Sequence, residues 1–381
     1  MDFSWSDEQL AYKKAVIEFA QNQLNEDMIE RDIAGELSRE NWKKCAEFGI
    51  QGLPFPEAFG GAEADIMTSM LTMEGLGYGC KDNGLIFGIN AQMWSVQMPI
   101  LHFGTEEQKE KYLSGMISGD LIGAHGMTEP NTGSDAYNLK TRAERVDGGY
   151  VLTGTKTFVS NAPVSDLSIV FATVDPTRGM WGITAFLVET GTPGFRISRS
   201  IEKMGLRTSP MGELILEDCF VPEANRVGPE GAGARIFGNS MEWERACILA
   251  SNLGTMERQL EESIQYARDR SQYGQPIGKY QSVANRIVDM KIRLETARML
   301  LYKVAWLKKM NKPALMEAAM AKLYLSESFV ASGLDAIRTF GGYGYTTEFE
   351  VERNLRDAIG GTLYSGTSDI QRNIIARLLG L

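Results

Sequence analysis

The sequence predicts an α+β fold built as three consecutive domains: a helical N-terminal domain, a middle antiparallel β-domain and a C-terminal four-helix bundle. Three observations carry this expectation. Apolar residues recur with helical spacing over residues 1–120, collapse into short β-prone runs over 121–230, and return to long helical patterns over 231–381. Turn residues separate the runs of the middle stretch. Strands and helices do not alternate, and no G-x-G-x-x-G follows a strand, which excludes a Rossmann dinucleotide-binding unit; a P-loop is also lacking.

In the first stretch, Ser6-Asp7-Glu8-Gln9 and Thr105-Glu106-Glu107-Gln108 both fit the capping box, a hydroxyl serving the third helical N–H while Gln reaches back. Leu10, Val16, Ile17 and Phe19-Ala20 follow the first box at helical spacing, and Pro54, Pro56 and Gly60-Gly61 interrupt the zone with a loop. In the middle stretch Tyr150-Val151-Leu152, Ile169-Val170-Phe171, Ile183–Val188 and Glu213-Leu214-Ile215-Leu216 read as strands, punctuated by Asp147-Gly148-Gly149 and Thr192-Pro193-Gly194. In the last, Ala246–Leu253, Val283–Leu301, Met316–Leu334 and Asp369–Leu379 are the expected bundle helices.

Composition narrows the function. Hydrophobic residues at 43% and charged residues at 23% suit a globular chain with a sizeable core. A net charge of -10 opposes a general nucleic-acid-binding role, since phosphate contacts need concentrated Lys and Arg. No apolar run reaches the roughly 20 residues of a membrane span. The start, Met1-Asp2-Phe3-Ser4, lacks the basic-then-apolar pattern of a signal peptide, so a cytoplasmic location is expected. Cys45, Cys80, Cys219 and Cys247 are widely spaced, which reads as four reduced thiols and no metal site. With only His102 and His125, a histidine-based hydrolase or metal centre has little material, and acid–base chemistry falls to a carboxylate or a cofactor.

Three segments are candidates for binding. Gly126–Asp135 is dense in Gly, Pro, Asn and Ser, a loop able to turn N–H groups and hydroxyls toward an anion or a polar ring edge; an ordinary surface turn is the plainer alternative. In Gly154–Ala162, strand alternation puts Phe158 and Ser160 on one face, an aromatic plane beside a hydroxyl that suits a flat heteroaromatic group; a core Phe beside a Ser is the alternative. Tyr364–Arg372 is a small-residue loop leading into a helix, whose N-terminus can hold polar ligands or merely be well capped.

Taken together, these segments resemble the acyl-CoA dehydrogenase superfamily along the whole chain. The family pattern TEP-x-AGSD corresponds to Thr128–Asp135, R-x-x-FG-x-P to Arg270–Pro276, FGG-x-GY to Phe340–Tyr345 and GT-x-x-IQR to Gly366–Arg372, all in order. The resemblance implies bound FAD. By motif position His125, Met127 and Thr128 line the flavin's pyrimidine edge, Ser134 meets its phosphates, Gly133 also belongs to the cofactor site, and Phe158 and Ser160 lie against the ring, in places the family often fills with Trp and Thr. Arg270, Gln281, Arg338, Gly341 and Gly342 match positions that reach the diphosphate and adenine half across a subunit interface, although Arg338 departs from the usual Gln. Thr367 and Asp369 match positions at the other end. A homotetramer, a dimer of dimers, is the assembly implied.

Many members place the catalytic Glu directly before the Gly-Thr of the last motif. Here that residue is Ser365, which cannot act as a carboxylate base. A second branch of the family puts Glu before a conserved Arg on a central helix, and Glu244-Arg245 matches it. Met241, Glu244, Cys247 and Ile248 share one helix face, so Glu244 is expected among apolar side chains that raise its pKa. Glu242 is expected to pair with Arg245 at i+3, and a purely structural Glu244–arginine salt bridge is the alternative for the candidate base.

Trp243–Cys247, Ser160–Pro163 and Tyr364–Asp369 are most similar to dehydrogenases of L-proline carried as a thioester on a carrier protein. That likeness implies an acyl or peptidyl carrier protein as partner, a pyrroline or pyrrole thioester as product, and Arg245, Tyr364 and Ser365 at the substrate. An ordinary short- or branched-chain acyl-CoA dehydrogenase is the nearer rival, and a flavin-binding scaffold without catalysis the more distant one.

Overall fold

A computed structural model describes residues 4–381, and the acidic Met1-Asp2-Phe3 lies outside the described residues. The N-terminal helices are α1 (Asp7–Gln23), α2 (Met28–Ala34), α3 (Arg39–Glu47), α4 (Ile66–Gly79), α5 (Asn83–Gln92), α6 (Met98–Phe103) and α7 (Glu106–Ile117). Both expected capping boxes form, with Ser6 and Thr105 each accepting from the N–H of the glutamine three residues on. Between α5 and α6 the helix continues through a π-helical turn, Met93–Gln97.

The sheet strands are β1 (Gly123–Gly126), β2 (Arg142–Val146), β3 (Gly149–Ser160), β4 (Leu167–Thr173), β5 (Ile183–Glu189), β6 (Phe195–Ile197), β7 (Met211–Pro222) and β8 (Arg226–Val227). They form one sheet in the order β6-β7-β3-β2-β4-β5-β8. The domain is mainly antiparallel, as expected, with two parallel contacts added: β1 runs parallel to β4, and β2 touches β4 in parallel at Arg142–Thr173. β4 and β5 are buried along almost their whole length because both faces are covered. In β4, Leu167, Ile169 and Phe171 join the large core shared with the helices, whereas Val170 and Ala172 join a second core on the opposite face.

The C-terminal helices are α8 (Gly233–Cys247), α9 (Ala250–Asp269), α10 (Gln281–Lys309), α11 (Leu315–Phe340), α12 (Val351–Gly361) and α13 (Ser368–Leu378); a two-residue ladder, β9 (Ser271–Gln272) with β10 (Gln275–Pro276), lies between α9 and α10. The four long helices α8 to α11 pack together, and α12 and α13 lean on α11. Two expectations change here. Ala246–Leu253 is not one helix, since the chain breaks between Cys247 and Ala250, and the segment at 369–378 lies outside the four long helices.

The helical regions meet where α4 packs on α9. A Cβ at Gly77 would sit 1.9 Å from the Ser251 carbonyl oxygen, and one at Gly254 would sit 1.9 Å from that of Glu74, so only glycine permits this approach. Among the described residues, no helix is long and apolar enough to cross a membrane, and no group of His, Cys, Asp and Glu could hold a metal ion.

Candidate active site

Between the sheet and the C-terminal helices lies a cavity of about 1160 Å³. One wall is the loop after β1 and the end of β3: His125, Met127, Thr128, Gly133, Ser134, Phe158 and Ser160 all line it. A second wall is α8 with Glu244 and Arg245, and the floor is the turn Tyr364–Thr367 between α12 and α13.

The strand wall is built around a buried clasp. Glu129 accepts from Lys156 Nζ at 2.7 Å and from the N–H groups of Lys140 and Thr141, which pins the loop after β1 to the sheet. Burial opposes ionisation of Glu129, but Lys156 and the hydrogen bonds outweigh it, and its pKa lies below the ordinary value. Just beyond Lys156 the β3–β7 register shifts, and Phe158 takes a left-handed φ of 56°. Simple alternation therefore fails at this point, yet the bulge still turns Phe158 and Ser160 to the same cavity. Phe158 is 63% exposed, an aromatic face without a protein cover.

His125 is half-buried, and desolvation of its ring, helped by nearby Lys156, lowers its pKa to about 4, so the ring is neutral. Its Nε2 has no hydrogen-bond partner among the described residues. An uncovered aromatic plane, an orphaned ring nitrogen and a polar glycine loop within one cavity fit a large flat group with a hydrogen-bonding edge and an anionic tail.

Glu244 is 9% exposed on α8. Ser95 Oγ donates to its Oε2 and Ser365 Oγ to its Oε1, each at 2.5 Å. Burial raises its pKa above the ordinary value, against the pull of these two hydroxyls and the charges of Arg245 and Lys322. The alternative of a simple Glu–Arg salt bridge is not what forms, because Arg245 turns its Nε to the carbonyl of Ser365 at 3.4 Å. Glu242 also departs from expectation: it pairs with Lys308 at 2.9 Å, and that ammonium lies 4.0 Å from the Trp243 ring centroid.

The floor is unusual backbone. Ser365 and Gly366 both have positive φ, 56° and 87°, and Thr367 caps α13 by accepting from the N–H of Ile370. Among the described residues the Ser365 N–H makes no backbone hydrogen bond. Tyr364 packs on Phe87 with ring centroids 4.8 Å apart.

Other expected cofactor positions lie apart. Arg270, Gly341 and Gly342 line a separate hollow of about 430 Å³, with the Arg270 guanidinium 5.7 Å from the Tyr343 ring centroid. Gln281 and Arg338 are exposed and line neither hollow; Arg338 lies 3.5 Å from Asp335. Asp369 faces outward, 89% exposed at the side chain and paired with Arg372. Sequence reasoning missed Ser95 and Lys322. Ser95 reaches the site through the π-helical turn, for which its sequence gives no sign; Lys322 is a buried lysine within a helical repeat, legible as unusual only once the helix is known to face the core.

Comparisons with known proteins agree along the full length. Family models for the N-terminal, middle and C-terminal domains of acyl-CoA dehydrogenase match residues 6–120, 124–219 and 231–380. An L-prolyl-[peptidyl-carrier protein] dehydrogenase from Serratia sp. is 42% identical over 100% of this chain and 99% of its own. The crystal structure of the prolyl acyl carrier protein oxidase AnaB is similar at a TM-score of 0.98 and 53% identity, covering 99% of this chain and all of that one. PigA, with FAD and proline, reaches a TM-score of 0.98 at 42% identity over the whole of both chains.

Proposed function

The chain belongs to the acyl-CoA dehydrogenase family, and we propose that within it this protein is an FAD-dependent dehydrogenase of L-proline held as a thioester on an acyl or peptidyl carrier protein, with Glu244 as the base. The observation that carries the reading is the buried carboxylate of Glu244 at the cavity that also exposes Phe158 and the unpartnered His125.

FAD, when bound, supplies the hydride acceptor. His125, Met127, Thr128, Phe158 and Ser160 would hold its ring system, and Gly133, Ser134 and Thr367 its chain. Glu244 removes the proton from the α-carbon, while the hydride leaves the adjacent ring position, so that two electrons and two hydrogens leave the substrate together. The rise in Glu244 pKa on burial improves it as a proton acceptor at neutral pH. Charge then builds on the thioester oxygen, which the unused Ser365 N–H can meet; loss of one such donor costs about 10²–10³ in rate.

Arg270, Gln281, Arg338, Gly341 and Gly342 are assigned to a neighbour's cofactor in a homotetramer. Support comes from the open apolar residues beside them and along α10: Tyr273 at 96%, Tyr345 at 85% and Val288, Ile292 and Met299 each above half exposed. A cytoplasmic location completes the proposal.

Incubating the enzyme with synthetic L-prolyl-carrier protein and measuring its intact mass tests this reading. A loss of two or four hydrogens is expected, with no comparable action on butyryl-CoA. Efficient turnover of butyryl-CoA alone would select the ordinary acyl-CoA dehydrogenase, and a flavin that no thioester bleaches would select the scaffold.

A further inference from the structure

The base is gripped at both oxygens, and the two grips come from distant parts of the chain. Ser95 belongs to the N-terminal helices, 149 residues from Glu244, and Ser365 to the turn before α13, 121 residues away. Each donor also sits on uncommon backbone. Ser95 lies in the π-helical turn Met93–Gln97, where the wider helical turn re-aims side chains relative to an α-helical path. Ser365 holds a φ of 56°, a conformation costly for a residue with a Cβ. Ordinary backbone at either place would present its hydroxyl differently.

We propose that Ser95 and Ser365 are positioning residues that clamp one oxygen each of Glu244 and leave its remaining lone pairs directed at the substrate's α-hydrogen. The inference rests on the reading of Glu244 as the base. An ionised carboxylate accepts at roughly four lone-pair positions, so two donors restrain rotation without filling it. Both hydroxyls favour the charged form and work against burial, which favours the neutral one. The other charged or titratable groups near Glu244 are Arg245 on α8, Lys322 on α11 and Tyr364 in the turn; from the π-helical turn between α5 and α6 the Ser95 hydroxyl donates to it. Lys322 Nζ is buried without a hydrogen-bond partner among the described residues, so it acts through space and does not replace the clamp. The clamp also explains how Ser can stand where other members carry Glu: Ser365 serves the base instead of being it.

The test uses Ser95→Ala, Ser365→Ala and the isosteric, weaker donor Ser95→Cys in the FAD-loaded full chain. Flavin bleaching by synthetic L-prolyl-carrier protein is followed anaerobically across pH, with Glu244→Gln as control. Each alanine variant is expected to slow bleaching about tenfold at saturating substrate and to move the acid limb up by about half to one pH unit, with Ser95→Cys in between. A limb that stays in place with rates within about twofold of wild type overturns the clamp, as does a loss confined to KM, which would place the hydroxyls on the substrate. If Ser95→Ala does not fold, Ser365→Ala decides alone. An active Glu244→Gln would instead remove the base itself, so the two failures are separate.

Discussion

Two buried carboxylates serve the same cavity, Glu244 in its lining and Glu129 behind its strand wall, and they are held in opposite ways. Glu129 is 4% exposed and meets an ammonium and two backbone N–H groups; its pKa is lowered. Glu244 is 9% exposed and meets two hydroxyls; its pKa is raised. Burial pushes both upward, so burial alone does not make a base. The partners decide: a cation in contact locks Glu129 into its charged, structural state, whereas neutral donors leave burial to raise Glu244 above the ordinary carboxylate value and make it the better proton acceptor.

Substituting each carboxylate by its amide breaks the comparison most sharply. Glu244→Gln should keep its yellow colour and lose about 10²–10⁴ in flavin-reduction rate, read by anaerobic stopped flow. Glu129→Gln strands the Lys156 ammonium in a dry site and should cost about 3–5 kcal/mol of stability by chemical denaturation, while the flavin-reduction rate of the folded fraction holds nearer to wild type. Phe158→Ala removes the uncovered aromatic plane and should weaken FAD binding by about tenfold, measured by flavin fluorescence on titration. Lys308→Met should have the smallest effect, about 1 kcal/mol or less, because its partner Glu242 is 36% exposed and water screens the pair.

Much of this arrangement was legible in the sequence, and the exceptions have physical causes. The three-domain order followed from the period of the apolar pattern; Glu244 was singled out by the resemblance, and its burial followed from the face it shares with Met241, Cys247 and Ile248, all buried. The break between Cys247 and Ala250 was hidden because helical residues continue across it. Parallel pairing of β1 with β4 was hidden because pairing is set by chain topology, which apolar runs do not encode. Ser95 lies in an apolar stretch with no mark of its π-helical turn, and its contact with Glu244 spans 149 residues. Glu242 was given to Arg245 by spacing alone, but Lys308 from α10 reaches it, an example of tertiary contact overriding a local pair.

The most direct measurement is the pH dependence of flavin reduction by L-prolyl-carrier protein in wild type and in Glu244→Gln. The sign follows from the base needing to be ionised: activity should rise with pH through an acid limb above the ordinary carboxylate value of about 4.3, because burial has raised that group. The residual rate of the Gln variant should lack this limb. The same limb persisting in Glu244→Gln would assign the proton to a different group and contradict the account.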